Sequence, residues 1–296
     1  MEMQQIRYFL ALASSLNFTR AAEECNVSQP ALTRAIQSLE AELGGALLRR
    51  EGRLSHLTEL GQRMQPLMQR CYDSALTAKS IARAVTKNEV SPLALGVSHS
   101  VNLEMFMAPI AEMFRSFSGT QLRITHGQGA EVLKRLKEGG AELALAGPLE
   151  DAWERLDRWP LFTEGFDLAL PLSHPLAKDN EIDAAKLAGL GVLAQAGCEC
   201  RKLIEEWFED HGVAFVAAHE VDTHHDMIAL LGAGSGVALL PESAPRSATL
   251  RRAKLNGFSV ARSVYVYAIA GRQRSPSAAA FLNLLRSADY SGTAGA

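Results

Sequence analysis

At 296 residues the chain is too long for one small core and suits roughly two or three compact units. Its 47% hydrophobic and 21% charged composition excludes a disordered tract, and no window approaches the ~18 uninterrupted apolar residues of a membrane helix. A net charge of −3 excludes an indiscriminate nucleic-acid binder, and residues 1–63 balance seven Arg against seven Glu, so DNA contact must rest on placement rather than bulk charge.

The start, MEMQQIRYFL, lacks a basic region followed by an apolar signal core, and a cytoplasmic location is expected. Ile6, Phe9, Leu10 and Ala13 recur at helical spacing and predict a first helix ending near Asn17. Arg20 to Cys25 read as a second helix, with Ala21, Ala22 and Cys25 on one side. Asn26 suits the left-handed turn that ends it; Ser28 suits the cap of a third, whose first turn accepts Pro30. Along that third helix Leu32, Ile36, Leu39 and Leu43 form an apolar stripe, while Gln29, Pro30, Thr33, Arg34 and Gln37 cluster on the other side. Gly44 and Gly45 stop it.

"LLRREGRLSHL", Leu47 to Leu57, reads as a hairpin around Glu51-Gly52, a wing. Thr58 caps a long predicted helix in which Leu60, Met64, Leu67, Cys71, Ala75, Ala78, Ile81 and Val85 form a narrow seam suited to a partner helix. Pro66 is expected to kink it, and Ser91-Pro92 to end it. From Leu93 onward short apolar strands alternate with helices. The predicted strands are 93–98, 122–127, 142–147, 167–172, 191–195, 236–241 and 264–271, with helices at 104–117 and 201–211 and a terminal helix at 275–288. This is an α/β pattern with a largely parallel sheet.

The run "FTRAAEECNVSQPALTRAIQSLEAELG" carries Phe18, Ala21, Ala22, Ser28 to Arg34, Ile36, Leu39, Glu40, Leu43 and Gly44 at the spacing of one specific motif, followed by "LLRR" and "LTELG". With "SHPLA" (173–177) and "GAGSGVALLP" (232–241), these residues resemble the LysR-type transcriptional regulators over nearly the whole chain. Cys25, where leucine is usual, and Leu48, where phenylalanine is common, depart from the pattern but preserve packing. The resemblance implies a winged helix-turn-helix at 1–58 and a dimerising linker helix at 59–91. It also implies a two-subdomain, Rossmann-like (periplasmic-binding-protein-like) effector domain at 92–296, with subdomain 1 at 92–162 and 264–296 and subdomain 2 at 163–263. The expected partners are a double-stranded DNA operator of inverted-repeat form, a second copy of the chain, further copies in a tetramer, RNA polymerase where the protein activates, and a small-molecule effector.

Gln29 and Arg34 have bidentate groups suited to adenine and guanine, Thr33 offers a hydroxyl and a methyl, and Pro30 an apolar edge, so these four are assigned to base edges. Ser28 and Gln37 are assigned to phosphates, and Arg53, at the wing tip, to backbone or minor groove. The plain alternative is a solvated polar face. In the effector domain, strand ends and the helix starts after them favour anions, which selects Ser98, Ser100, Asn102, Gln128, Gly147, Gln195, Thr223 and His224 as candidates for a small, anionic metabolite. Helix capping is their competing role.

Cys198 and Cys200, with His99, His126, His224 and His225 on other cleft loops, raise the alternative of a thiol- or metal-responsive regulator. Cys-x-Cys is not the usual structural-zinc spacing, and Cys25, Cys71, Cys198 and Cys200 are expected to be reduced. Gly232 to Gly236 follows a helix and precedes a strand, the reverse of a phosphate-binding loop. No nucleophile–base–acid set is placed, so no enzyme and no cofactor beyond the effector is expected. The rival class is a stand-alone binding protein or enzyme on the α/β part, which leaves the N-terminal helices unexplained.

Overall fold

The computed structural model describes residues 1–51, 54–87, 92–117, 120–149, 155–214 and 217–290. The N-terminal unit begins with α1 (Met3–Ser15), α2 (Phe18–Cys25) and α3 (Gln29–Leu43). Asn17 starts α2 by accepting from the backbone N–H groups of Thr19 and Arg20, so the helix begins two residues ahead of the sequence expectation. Asn26 ends it at φ 56°, a left-handed conformation that asparagine tolerates better than most residues. The buried faces meet in one core of Ile6, Phe9, Leu12, Ala21, Ala22, Leu32, Ile36 and Leu39. Truncating Leu39 to Ala there is expected to cost about 2–5 kcal/mol.

The wing is the antiparallel pair β1 (Leu48–Glu51) and β2 (Leu54–Leu57), with Leu48 opposite Leu57. Glu40 on α3 fixes where it begins, its Oε1 accepting from the N–H groups of Leu47 and Leu48 at 2.7 and 3.2 Å. Thr58 caps the next helix through the N–H of Gly61 and donates its hydroxyl to the Ala46 carbonyl. That helix, α4 (Glu59–Lys87), runs through Pro66.

Subdomain 1 opens with β3 (Leu93–Ser98), α5 (Met107–Ser116), β4 (Leu122–Gly127), α6 (Gly129–Glu138), β5 (Leu143–Ala146) and β6 (Leu156–Glu164). Subdomain 2 holds β7 (Phe166–Pro171), β8 (Glu181–Ile182), β9 (Val192–Gln195), α7 (Arg201–Asp210), β10 (Ala217–Val221), α8 (His224–Gly232), β11 (Ala238–Pro241) and β12 (Leu250–Leu255). The chain returns to subdomain 1 with β13 (Arg262–Ile269) and α9 (Pro276–Ser287), capped by Ser275 through the N–H of Ala278. Among the described residues no helix is long and apolar enough to cross a membrane.

The sheets correct the expectation of a largely parallel arrangement. Subdomain 1 has the order β4-β3-β5-β13-β6, with β3 parallel to β4 and β5 but β13 antiparallel to both neighbours. Subdomain 2 has the order β11-β7-β12-β8, in which β7 pairs antiparallel with both β11 and β12, beside a separate parallel pair, β9 and β10. In the effector domain every antiparallel pairing runs through β7 or β13, and β6 and β12, whose sequences, LDRWPLFTE and LRRAKL, lack a long apolar run, supply one partner each. At a sheet edge Pro160 is tolerable, which is where β6 lies.

The subdomain crossings also move. β6 continues to Glu164 and β13 already starts at Arg262, so the strands change subdomain just beyond a cross-strand pair, Arg262 opposite Glu164. The ladder thus runs two residues beyond the expected crossings at Phe162 and Val264.

Candidate DNA-reading face and effector cleft

On α3, packing and presentation divide cleanly. Leu32, Ile36 and Leu39 are buried, whereas Ser28, Gln29, Pro30, Arg34 and Gln37 are exposed and Thr33 is half-buried. Gln29 Nε2 donates to Thr33 Oγ1 at 3.1 Å, and Arg34 Nε donates to the Pro30 carbonyl at 3.3 Å, so the face is loosely ordered by its own helix. Arg34 forms no ion pair among the described residues, unlike Arg115, Arg201 and Arg274 of the effector domain. Ser28 stands at the cap position of α3, but its hydroxyl makes no capping bond; its carbonyl alone receives the N–H groups of Ala31 and Leu32. This corrects the capping role and leaves the hydroxyl on the presented side. Arg53 lies outside the described residues.

Between the subdomains, the predicted residues do come to the strand ends, but they are already bonded within the protein. Ser98 and Ser100 are buried with their hydroxyls 3.0 Å apart, and Ser100 Oγ donates to Glu199 Oε1 at 2.7 Å. Asn102 donates to the Ser243 carbonyl across the cleft while capping the short turn at Glu104. Gln128 Nε2 reaches Asp222 at 3.2 Å, and Gln195 Nε2 donates to the carbonyls of His99 and Asp222. Gly147 is held from behind by Tyr267, whose hydroxyl donates to its carbonyl at 2.8 Å and whose burial pushes the phenol up to about 12. Thr223 only caps α8, its hydroxyl bonded to Asp226.

At the centre lies Arg262, its side chain 1% exposed. Its Nε and one terminal nitrogen donate to Glu164 Oε1 at 3.0 and 2.9 Å, and the latter also to the Ser100 carbonyl at 2.6 Å. The other terminal nitrogen faces Glu199 Oε2 at 3.7 Å. A guanidinium so deeply desolvated requires this pairing. His224 is buried nearby; burial first, then the charges of Arg262 and Arg252, bring its pKa down to about 3, so the imidazole is neutral. Beside Arg262 a cavity of about 30 Å³ is lined by Phe166, Gln195, Cys198 and Ile204 among others, room for little more than water.

Two family models cover this architecture. Residues 3–62 match the bacterial regulatory helix-turn-helix protein, lysR family, and residues 87–289 match the LysR substrate binding domain. The chain belongs to the LysR family. It is 30% identical over 249 residues to the Hca operon transcriptional activator HcaR of Escherichia coli, covering 81% of this chain and 82% of that protein. It is 29% identical over 253 residues to the hydrogen peroxide-inducible genes activator of Pectobacterium carotovorum, covering 83% and 82%. Among solved structures, full-length CbnR complexed with its target DNA superposes at a TM-score of 0.57 with 23% identity, covering 97% of this chain and 99% of that one. Oxidised OxyR of Corynebacterium glutamicum superposes at 0.65 with 21% identity, covering 96% and 90%.

This LysR-family chain is therefore a DNA-binding transcriptional regulator with an effector-binding domain. Three residues of its cleft escaped sequence reasoning: Arg262, Glu164 and Glu199. Donors suited to an anion do not include carboxylates, and Arg262 lies two residues before the predicted strand 264–271. A charge flanking the apolar run VYVYAIA was the available signal for Arg262. Glu199 follows β9 as Ser98 ends β3, so the same strand-end logic finds it once carboxylates are admitted.

Cys198 and Cys200 lie beside the cleft as free thiols. Burial pushes Cys198 up and Cys200 up to about 11, with the neighbouring Cys198 as the second cause for Cys200, so little thiolate exists at neutral pH. Cys200 belongs to the subdomain 2 core with Ile204, Trp207 and Phe208. No group of three or more His, Cys, Asp or Glu among the described residues is gathered for a metal ion. His99 and His126 stack at 6.3 Å, and burial, then the charge of His99, lowers His126.

Proposed function

We propose that this regulator reads an inverted-repeat operator through Gln29, Pro30, Thr33 and Arg34 at base edges, with Ser28 and Gln37 at phosphates. It is controlled by a small carboxylate-bearing metabolite in the cleft around Ser100, Gly147 and Arg262. The observation that carries the DNA reading is the division of α3: apolar residues buried in the core, bidentate side chains left exposed and without ion pairs. Balanced charge in residues 1–63 supports the same view, because affinity then depends on a few placed contacts.

A second copy doubles those contacts. Leu67, 49% exposed, and the exposed Cys71 and Ala78 form a stripe on α4 opposite the residues that meet the chain's own effector domain, and this stripe supports dimerisation along the linker helix. Tetramers, contact with RNA polymerase where transcription is activated, and a cytoplasmic site of action belong to the same reading. The effector acts by binding one closure of the subdomains better than another, which resets the spacing of the two recognition helices. No cofactor and no catalytic turnover are assigned.

A gel shift with the region upstream of the protein's own gene tests the DNA reading; no protected inverted repeat in that region or in a genome-wide footprint sinks it. Thermal-shift screening of the full chain with organic acids tests the cleft. A ligand bound elsewhere than the cleft counts against that assignment.

A further inference from the structure

Glu199 is the feature of the cleft that the proposed ligand chemistry leaves unexplained. It belongs to the turn between β9 and α7 in subdomain 2, yet its carboxylate contacts subdomain 1. Oε1 accepts the Ser100 hydroxyl at 2.7 Å, and Oε2 faces the Arg262 guanidinium at 3.7 Å. The carboxylate also lies against Gly147, where an added Cβ would stand 2.7 Å from Glu199 Cδ and Oε1. Thus one side chain satisfies a hydroxyl, approaches a buried cation and fills the hollow of a glycine, the three features expected of a subsite for a free carboxylate.

The side chain is 9% exposed, and Oε2 is buried without a hydrogen bond. A carboxylate oxygen in that state is costly unless a charge holds it, and Arg262 is itself already bonded by Glu164. Glu199 is therefore a serviceable but imperfect occupant, displaceable by an anion with better geometry. The adjoining cavity, about 30 Å³, holds little more than water.

We propose that Glu199 is a tethered carboxylate occupying the anion subsite of the effector cleft, so that the subdomains close on the chain's own side chain and a carboxylate ligand enters only by displacing it. The inference rests on the reading that the cleft takes a carboxylate. It gives the free protein a closed conformer that needs no ligand, and it sets a specificity rule: the effector carries its carboxylate on an arm able to reach Ser100 and Arg262 once Glu199 swings out.

Acetate is the probe, because the methylene and carboxylate removed by Glu199→Ala match it atom for atom. The full-length protein is titrated with acetate against chloride at constant ionic strength, by calorimetry and thermal shift. Glu199→Ala is expected to bind acetate at least about tenfold tighter than the parent, the worth of one charge-assisted hydrogen bond. Glu199→Gln, neutral but still filling the space, is expected to behave as the parent, and Ser100→Ala added to Glu199→Ala is expected to lose the gain. Should Glu199→Ala fold poorly in chloride, recovery of its unfolding transition in acetate is the same positive result, and Glu199→Ser provides a second vacated site. Equal acetate affinity in Glu199→Gln and Glu199→Ala overturns occupancy in favour of charge alone. Equal affinity in the parent and Glu199→Ala overturns the inference while leaving the carboxylate reading of the cleft standing. No binding to any of the folded variants overturns both.

Discussion

The α3 face and the effector cleft use similar polar side chains in opposite ways. On α3, Gln29, Thr33 and Arg34 make only weak bonds within their own helix and lie open to a partner. In the cleft, Ser100, Asn102, Gln128 and Gln195 each bond across to the other subdomain, and Arg262 is enclosed. A surface that reads a large external partner keeps its hydrogen-bonding capacity unspent, whereas a cleft that closes must satisfy its groups internally or leave them stranded. The difference predicts where substitutions act: on binding at α3, on stability and closure in the cleft.

The largest effect is expected from Arg34→Ala. A bidentate contact to guanine is worth about 2 kcal/mol, and a dimer on an inverted repeat loses it twice, about 4 kcal/mol or on the order of a thousandfold in operator affinity. Binding to unrelated DNA at low salt is expected to persist, and the unfolding midpoint to stay near that of the parent, because Arg34 is exposed. Footprinting and denaturant unfolding check the two halves. A loss of stability matching the loss of binding would erase the contrast with the cleft.

The join between the two regions behaves differently from either. Asp73 on α4 is fully buried, accepts from Gln69 at 3.0 Å and pairs with Arg286 of α9 at 3.3 Å. Burial pushes the Asp73 carboxyl up and the Arg286 guanidinium down, each against the pull of the partner, so desolvation outweighs their attraction. Such a pair places two elements rather than stabilising them. Arg286→Met, which takes the cation from beside the buried carboxylate, is expected to cost about 3 kcal/mol, while Asp73→Leu with Arg286→Met recovers most of it. A double-mutant cycle by urea unfolding measures this, and additive costs would show the pair to be uncoupled.

Much of this organisation was legible in the sequence wherever one face of an element is apolar. The stripe of Leu32, Ile36 and Leu39 located α3, and the runs LALGVS and LRITHG gave β3 and β4 at their observed limits. β6, β10 and β12 were not legible, because a strand at an edge or with one solvated face tolerates Pro160, His219 or Arg251. In the cleft, strand-end logic found Ser98, Ser100 and Gln195, but spacing along the chain carries no information on which charge Arg262, 63 positions beyond Glu199, would meet. Nor does spacing show that Ser100, Asn102, Gln128 and Gln195, read as ligand groups, are bonded to Glu199, Ser243, Asp222 and His99 across the cleft.

The smallest effect concerns His224, buried near Arg262, and sharpens the contrast between a closed cleft and an open α3 face. Its pKa falls from 6.5 to about 3 because burial disfavours the charged ring and Arg262 and Arg252 repel it. The folded state therefore keeps it neutral while the unfolded chain protonates near its ordinary value. This stability is present above pH 6.5 and is lost progressively as pH falls toward about 3. Between about pH 7 and pH 5 the loss from this one group is about 2 kcal/mol. His224→Gln, unable to titrate, is expected to show an unfolding free energy flatter with pH by that amount, whatever its absolute stability. His126, lowered in the same direction, contributes equally to parent and variant and cancels in the difference. Parallel pH profiles for parent and variant would mean that His224 titrates freely in the folded protein, which requires water to reach the ring and so denies the closed cleft on which the contrast with α3 depends.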